Sequence, residues 1–226
     1  MSLSIIVPAR NEKDNLPIIL NRIKDTLQSY DYEIIIVKAI NDDSDLNVNL
    51  SEFFDIRVIE QKKAGYGAAL KEGFKNSTKE NLCIFNADGS FETKDLLRLI
   101  EKIKDKNDFV FCSRYLKNAG SDDDNITTLV GNYVFSFFGR LFFNLKLSDI
   151  LFTFFIAKTN KINSLNLTSD DFGICVEIPI KMNRSNFSYN EIPSFEYKRM
   201  FGKKNVNEFK DGLFILFKMV KLYFQR

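Results

Sequence analysis

Asn86-Ala87-Asp88 closes an apolar run and leads into Gly89 and Ser90. An acidic residue so placed suits Mg²⁺ or Mn²⁺, which take hard oxygen ligands from a few carboxylates and from substrate phosphates. Asp88, Asn86 and Ser90 make a thin protein share, so a diphosphate must complete the coordination. Pro8, Ala9, Arg10, Asn11 and Glu12 follow a second apolar run. Turn chemistry accounts for the Pro and the Asn, but not for Arg10 near Glu12. Asn41, Asp42, Asp43, Ser44 and Asp45 form a third polar cluster, equally readable as a solvated loop, and Ser113-Arg114 a fourth. Asp149 stands alone in an apolar stretch and must be paired or hydrogen-bonded there. It reads either as the cap of the next segment or as a site residue. Glu177, after the apolar stretch 172–176, carries the same two readings. The chain has no His, which excludes imidazole bases, Ser-His-Asp triads and His-ligated zinc. Acid–base work falls to carboxylates, Lys, Tyr or Cys.

The elements that must hold these clusters alternate in type. Residues 3–7 read as a buried strand ended by Pro8. Leu16, Leu20, Ile23 and Leu27 recur at helical spacing, with Pro17 in the first turn. Strands are expected at 33–37, 56–60, 82–85 and 109–112. Helices are expected at 65–76 and at 93–104, the latter with Leu96, Leu97, Ile100 and Ile103 inward. This alternation predicts an α/β fold with a mostly parallel central sheet covered on both faces. In such sheets ligands sit beyond the carboxyl ends of the strands, where all four clusters fall. Gly65-Tyr66-Gly67 looks like part of a dinucleotide fingerprint, but it follows the third strand rather than the first, which excludes NAD. It reads instead as a helix start whose backbone approaches a neighbour closely.

Lys and Arg number 32 against 30 Asp and Glu, a net charge of +2, which argues against a nucleic-acid partner. Cys83, Cys112 and Cys175 are scattered, without the pairing of a zinc site, and suit a reducing, cytoplasmic setting. No leader is expected before the first strand, and no transmembrane helix, because Arg140, Lys146, Asp149 and Lys158 break the most apolar region. Phe is abundant, at 23 residues, eight of them between Phe135 and Phe155. Phe135, Phe138, Phe142 and Leu145 share one helical face. Phe209, Leu213, Leu216, Val220 and Phe224 share another, with Lys210, Lys218 and Lys221 on other sides. Both patterns fit interfacial helices lying on a membrane, or equally a helix pair packed on the sheet. Homodimerisation through the same surface is a further option.

The chain resembles the family 2 glycosyltransferases, in their dolichol-phosphate mannose synthase-like branch. Residues 4–12, the glycine-rich 65–73, Phe85-Asn86-Ala87-Asp88-Gly89-Ser90, Cys112-Ser113-Arg114-Tyr115, Asn132 with Ser148-Asp149, and 191–197 with Arg199 and Gly202 match its motifs in order. The resemblance implies a GT-A fold: one domain over 1–226, with a nucleotide-sugar half (1–115) and an acceptor half carrying amphipathic helices (116–226). It implies Pro8, Arg10 and Glu12 around base and ribose, together with Asp42, Asp43 and Gly65. Asp88 would meet Mg²⁺ or Mn²⁺ and the diphosphate, with Asn86 and Ser90 in lesser roles. Arg114 and Arg199 would face phosphate or acceptor.

Three departures stand out. The family's Asp-Asp-Gly-Ser falls on Lys38 and Ala39 without a gap, or on Asp42 and Asp43 with one. The first Asp of the metal pair is Asn86. After Asp149, Gly-Phe-Arg is replaced by Thr153-Phe154-Phe155. The resemblance implies transfer from a UDP- or GDP-linked sugar to a polyprenyl phosphate or a surface-glycan intermediate, with inversion, at the inner face of the membrane. A phosphate acceptor needs no strong base; a hydroxyl acceptor would need Asp149 or Glu177. The alternative is an impaired protein that only binds a nucleotide sugar. A nucleotidyltransferase is disfavoured, because the Gly-rich Arg/Lys signature after the first strand is absent.

Overall fold

The computed structural model describes residues 1–42, 53, 55–203 and 208–225; Asp43 lies outside them. The chain runs β1 (Ser2–Ala9), α1 (Leu16–Thr26), β2 (Asp31–Lys38), β3 (Ile56–Glu60), α2 (Tyr66–Asn76), β4 (Asn81–Ile84), α3 (Lys94–Ile103) and β5 (Phe109–Ser113). It continues through β6 (Gly120–Ser121), α4 (Ile126–Phe143), β7 (Phe155–Lys158), α5 (Thr159–Ser164), α6 (Ile174–Arg184), β8 (Tyr189–Pro193), β9 (Phe195–Glu196) and α7 (Glu208–Phe224).

Seven strands form one sheet in the order β3-β2-β1-β4-β7-β5-β8. Pairing is parallel except at β7, which runs antiparallel to β4 and β5. The sequence reading did not contain β7. Its residues continue an apolar stretch, and only the long-range insertion between β4 and β5 makes them a strand. Alternate residues of the central strands enter opposite cores, as parallel strands buried on both faces require. Ile5 and Val7 meet Leu16, Leu20 and Ile23 of α1 and Leu96, Leu99 and Ile100 of α3. Ile6, Ile35 and Val37 meet Leu70 and Phe74 of α2 and, beyond them, α6 and α7. On α3 the inward residue is Leu99, not Leu97, which is exposed. The spacing 96, 99, 100, 103 keeps one stripe of a 3.6-residue helix.

α4 is inverted relative to an ordinary surface helix. It buries only Asn132, Ser136 and Gly139. Its exterior shows Ile126, Val130, Tyr133, Phe137, Leu141 and Phe142, Ile126 being 82% exposed. A capping box at Asn125 and Thr128 starts it, and Asn144 in the left-handed region ends it. By length and composition alone, with mean hydropathy 1.2, it is the one helix among the described residues able to cross a membrane. The sequence reading expected none; within this span Arg140 is the only charged interruption. α7 lies beside α4, with Tyr223 edge-on to Phe142 and Phe143. It buries Ile215, Met219 and Leu222. Phe209, Leu213, Leu216, Val220 and Phe224 are exposed together. The expected α4 face is corrected: Phe135 and Phe138 are half-buried, and Leu145 lies beyond the helix end and is buried. Phe152, Phe154 and Phe155 belong to the core, not to this surface.

Candidate active site

The carboxyl ends of β1 and β4 bring Glu12 and Asp88 under the closing segment 199–202. The buried Glu12 carboxylate accepts from Asn15 Nδ2 at 2.6 Å and from Arg199 Nη2 at 2.6 Å. A second guanidinium nitrogen, Arg199 Nη1, lies 3.7 Å from Asp88 Oδ2, and the third, Nε, donates to the Phe201 carbonyl at 2.6 Å. The Met200 N–H donates to the Asp88 carbonyl (2.9 Å). Phe201 exchanges two hydrogen bonds with the Asn15 side chain, each 3.1 Å. Asp42 joins the same corner, its Oδ2 accepting from the Asn11 N–H at 2.9 Å. Asn11 takes φ 58°, which Asn tolerates. Pro8 is half-buried at the end of β1, and Arg10 is exposed.

Asp88 Oδ1 accepts from the Ser90 N–H and hydroxyl at 3.0 and 2.7 Å. Among the described residues, no three His, Cys, Asp or Glu side chains gather into a metal-holding group. This donor set fits a divalent ion shared with a diphosphate, not a closed protein cage. Asn86 Oδ1 accepts from the Tyr66 hydroxyl at 3.1 Å, and that hydroxyl pairs with Thr153 Oγ1 at 2.8 Å. Tyr66 also stacks on Phe172, with ring centroids 5.1 Å apart.

Beside this corner, Arg114 is buried. Its Nε and Nη2 clasp both oxygens of the buried Asp149, at 2.7 and 2.9 Å, and Nη1 reaches Glu196 at 2.9 Å. Burial opposes its charge, but Asp149 and Glu196 outweigh that cost and keep it a guanidinium. Burial pushes the Glu196 carboxyl above its usual range despite Arg114. The resemblance implies that Arg114 faces phosphate or acceptor groups; the structure turns its fork onto the Asp149 and Glu196 carboxylates. Tyr115 donates to Asp124 (2.8 Å) and accepts from Asn132 of α4 (2.7 Å). This network therefore ties the exposed apolar helix to Arg114.

Glu177 and Gly65 sit elsewhere. The fully buried Glu177 accepts from the backbone of Thr168 and Ser169 and faces Lys181 at 2.8 Å and Lys218 at 3.1 Å. It holds the 168–171 loop rather than facing the strand ends. Gly65, at φ 120°, packs on that loop: a Cβ there would sit 2.1 Å from the Asp170 carbonyl. As proton acceptors, Asp149 and Glu177 are thus already committed to cations. Sequence reasoning missed Tyr66, whose polar tip is revealed only by its long-range partners.

The family model for glycosyl transferase family 2 matches residues 4–165. A dolichol-phosphate mannosyltransferase of Pyrococcus furiosus is 32% identical over 53% of this chain, which spans 35% of that protein. A polyprenol monophosphomannose synthase of Mycolicibacterium smegmatis is 23% identical over 93% of the chain and 83% of that protein. Glucosyl-3-phosphoglycerate synthase from Mycobacterium tuberculosis, solved with Mn²⁺, UDP and phosphoglyceric acid, superposes with a TM-score of 0.72 at 12% identity, over 98% of this chain and 78% of that one. That likeness establishes the GT-A fold. The chain belongs to glycosyl transferase family 2.

Proposed function

We propose that the chain transfers a sugar from a UDP- or GDP-linked donor to a polyprenyl phosphate at the cytoplasmic face of a membrane, with inversion at the anomeric carbon. One observation carries the acceptor class. α4 turns large apolar side chains outward, while Asn132 on its inner side binds Tyr115 beside Arg114 and Asp149. A lipid resting on α4 and α7 would thus lie next to the candidate site. The inner face of α4 is held by hydrogen bonds through Asn132 and Ser136, which favours a helix lying along the membrane.

Glu12, Asp42, Pro8 and Arg10 form the nucleotide end, and Arg199 would turn from Glu12 to the diphosphate. A Mg²⁺ or Mn²⁺ held by Asp88 and the diphosphate would supply positive charge to the departing nucleotide. The phosphate acceptor is already an anionic nucleophile, so a chain without His, whose buried Asp149 and Glu177 are committed to cations, still suffices. Arg114 and Asp149 act here as a rigid pair that holds the acceptor end of the site in shape.

The second reading, a binding protein without transfer, is favoured by Asn86 and by the Arg199–Glu12 closure. Nucleotide release in the presence of polyprenyl phosphate vesicles separates the two. Release that requires the lipid phosphate, and fails with the dephosphorylated lipid, supports the enzyme. Tight nucleotide binding without release under any condition supports the binding protein.

A further inference from the structure

We infer that Asn86 is a hydrogen-bond donor to the donor substrate's diphosphate, not a metal ligand, and that Tyr66 is the positioning residue that makes it so. The inference deepens the nucleotide-sugar reading and rests on it. The hydroxyl of Tyr66 lies between Asn86 Oδ1 and Thr153 Oγ1. A phenol has one proton to give. Given to Asn86 Oδ1, it leaves the Thr153 hydroxyl to donate into the Tyr66 oxygen. The chain of donation then runs one way, from Thr153 through Tyr66 into Asn86.

That direction fixes the carboxamide. Its oxygen is held toward Tyr66, so its NH₂ group points the other way. Among the described residues nothing accepts from Asn86 Nδ2, and Asn86 is only partly buried. It sits two residues before Asp88, whose carbonyl accepts from the Met200 N–H of the closing segment. An amide NH₂ suits a phosphate oxygen and repels a divalent cation. Asn86 and Thr153 are two positions where the chain departs from the family pattern, and they meet at this hydroxyl.

Tyr66 itself is fixed independently of any ligand. Its ring stacks on Phe172, and Gly65 and Gly67 on either side are packed against the backbone of residues 169–171. The Ala68 N–H donates to the Asp170 carbonyl, and Lys71 pairs with the Asp170 carboxylate at 2.5 Å. The hydroxyl is therefore held at a set height above Asn86.

Calorimetric titration of Tyr66→Phe tests this, using UDP and GDP, then the matching monophosphate, each with Mn²⁺ and with EDTA. Tyr66→Phe keeps the ring stack and removes only the hydroxyl. The diphosphate should weaken about fivefold in both Mn²⁺ and EDTA, the scale of one hydrogen bond. The monophosphate should be unchanged. Asn86→Asp should invert the behaviour, weakening the diphosphate in EDTA and restoring it with Mn²⁺. A Tyr66→Phe loss confined to Mn²⁺ would mean that Asn86 works through the metal and would overturn the inference. Equal losses for mono- and diphosphate would reduce Tyr66 to a structural role and also overturn it. If neither UDP nor GDP binds the unaltered protein, the nucleotide-sugar reading fails and takes this inference with it.

Discussion

Asp88 and Glu177 are both carboxylates after apolar runs, yet their surroundings give them different work. Asp88 is a quarter exposed; Ser90 braces its Oδ1 by hydrogen bonds, and its Oδ2 faces Arg199 Nη1 at 3.7 Å without a hydrogen bond. Asp88→Ala should therefore leave the melting temperature nearly unchanged and lower turnover about 100-fold, the scale of losing one electrostatic contact at developing charge. Nucleotide release and thermal melting measure the two together. Glu177 is fully buried. Burial opposes its charge, but hydrogen bonds from Lys181, Ser169 and Thr168 prevail and hold the carboxyl well below its usual range. A carboxyl lowered on folding adds stability above its unfolded pKa, about 4.3, and loses it as the pH falls toward the folded value. Glu177→Gln should cost about 3 kcal/mol at neutral pH. The deficit should shrink steadily below about pH 4. Urea unfolding across pH measures it, and a pH-independent deficit would contradict the charge account. The sequence marks Asp88 by the Gly89-Ser90 that follows it, whereas Glu177 stays open between a structural and a site role. What settles the latter is the pairing of Glu177 with Lys218 on another helix, which no local pattern reveals. Arg199 and Glu12, 187 positions apart, were readable only as two separate polar clusters.

At the scale of elements, periodicity was enough wherever a helix or strand has one job. The spacing of Leu16, Leu20, Ile23 and Leu27 gave α1, and the short apolar runs gave β1 to β5. It failed where context decides. β7 is a strand because a gap exists between β4 and β5, and α4 hides small residues while showing large ones. That inversion carries the membrane argument, since water-facing helices place their large apolar residues the other way. Phe137→Glu with Phe217→Glu should release the protein from anionic vesicles in flotation. Melting should shift little, because these side chains are 52% and 70% exposed. Retained flotation would assign the surface to another partner, a second copy of the chain among them. Phe138, half-buried against the core, is expected to destabilise when charged and so reports on packing instead.

Across the molecule, one sheet carries both halves of the proposed chemistry. β1 and β4 end at the proposed nucleotide corner, with Glu12 and Asp88, β5 and β8 at the Arg114 network, and β7 joins the pairs. The absence of His excluded many reactions from the sequence alone, and what remains fits charge management by Arg, Asp and a shared cation. Phe fills both cores, around Phe85, Phe91 and Phe154 on one side of the sheet and Phe109, Phe111 and Phe155 on the other, and it also forms an exposed face on α4 and α7. The central claim is that these two ends serve sugar transfer to a lipid phosphate. Its most direct test is mass analysis of the lipid recovered after incubating the protein, Mn²⁺ and a panel of UDP- and GDP-sugars with polyprenyl phosphate vesicles. The account predicts polyprenyl phosphate heavier by one sugar, from one donor, and no product from the dephosphorylated lipid. Unaltered lipid with every donor, in a protein that binds the nucleotide, would contradict it.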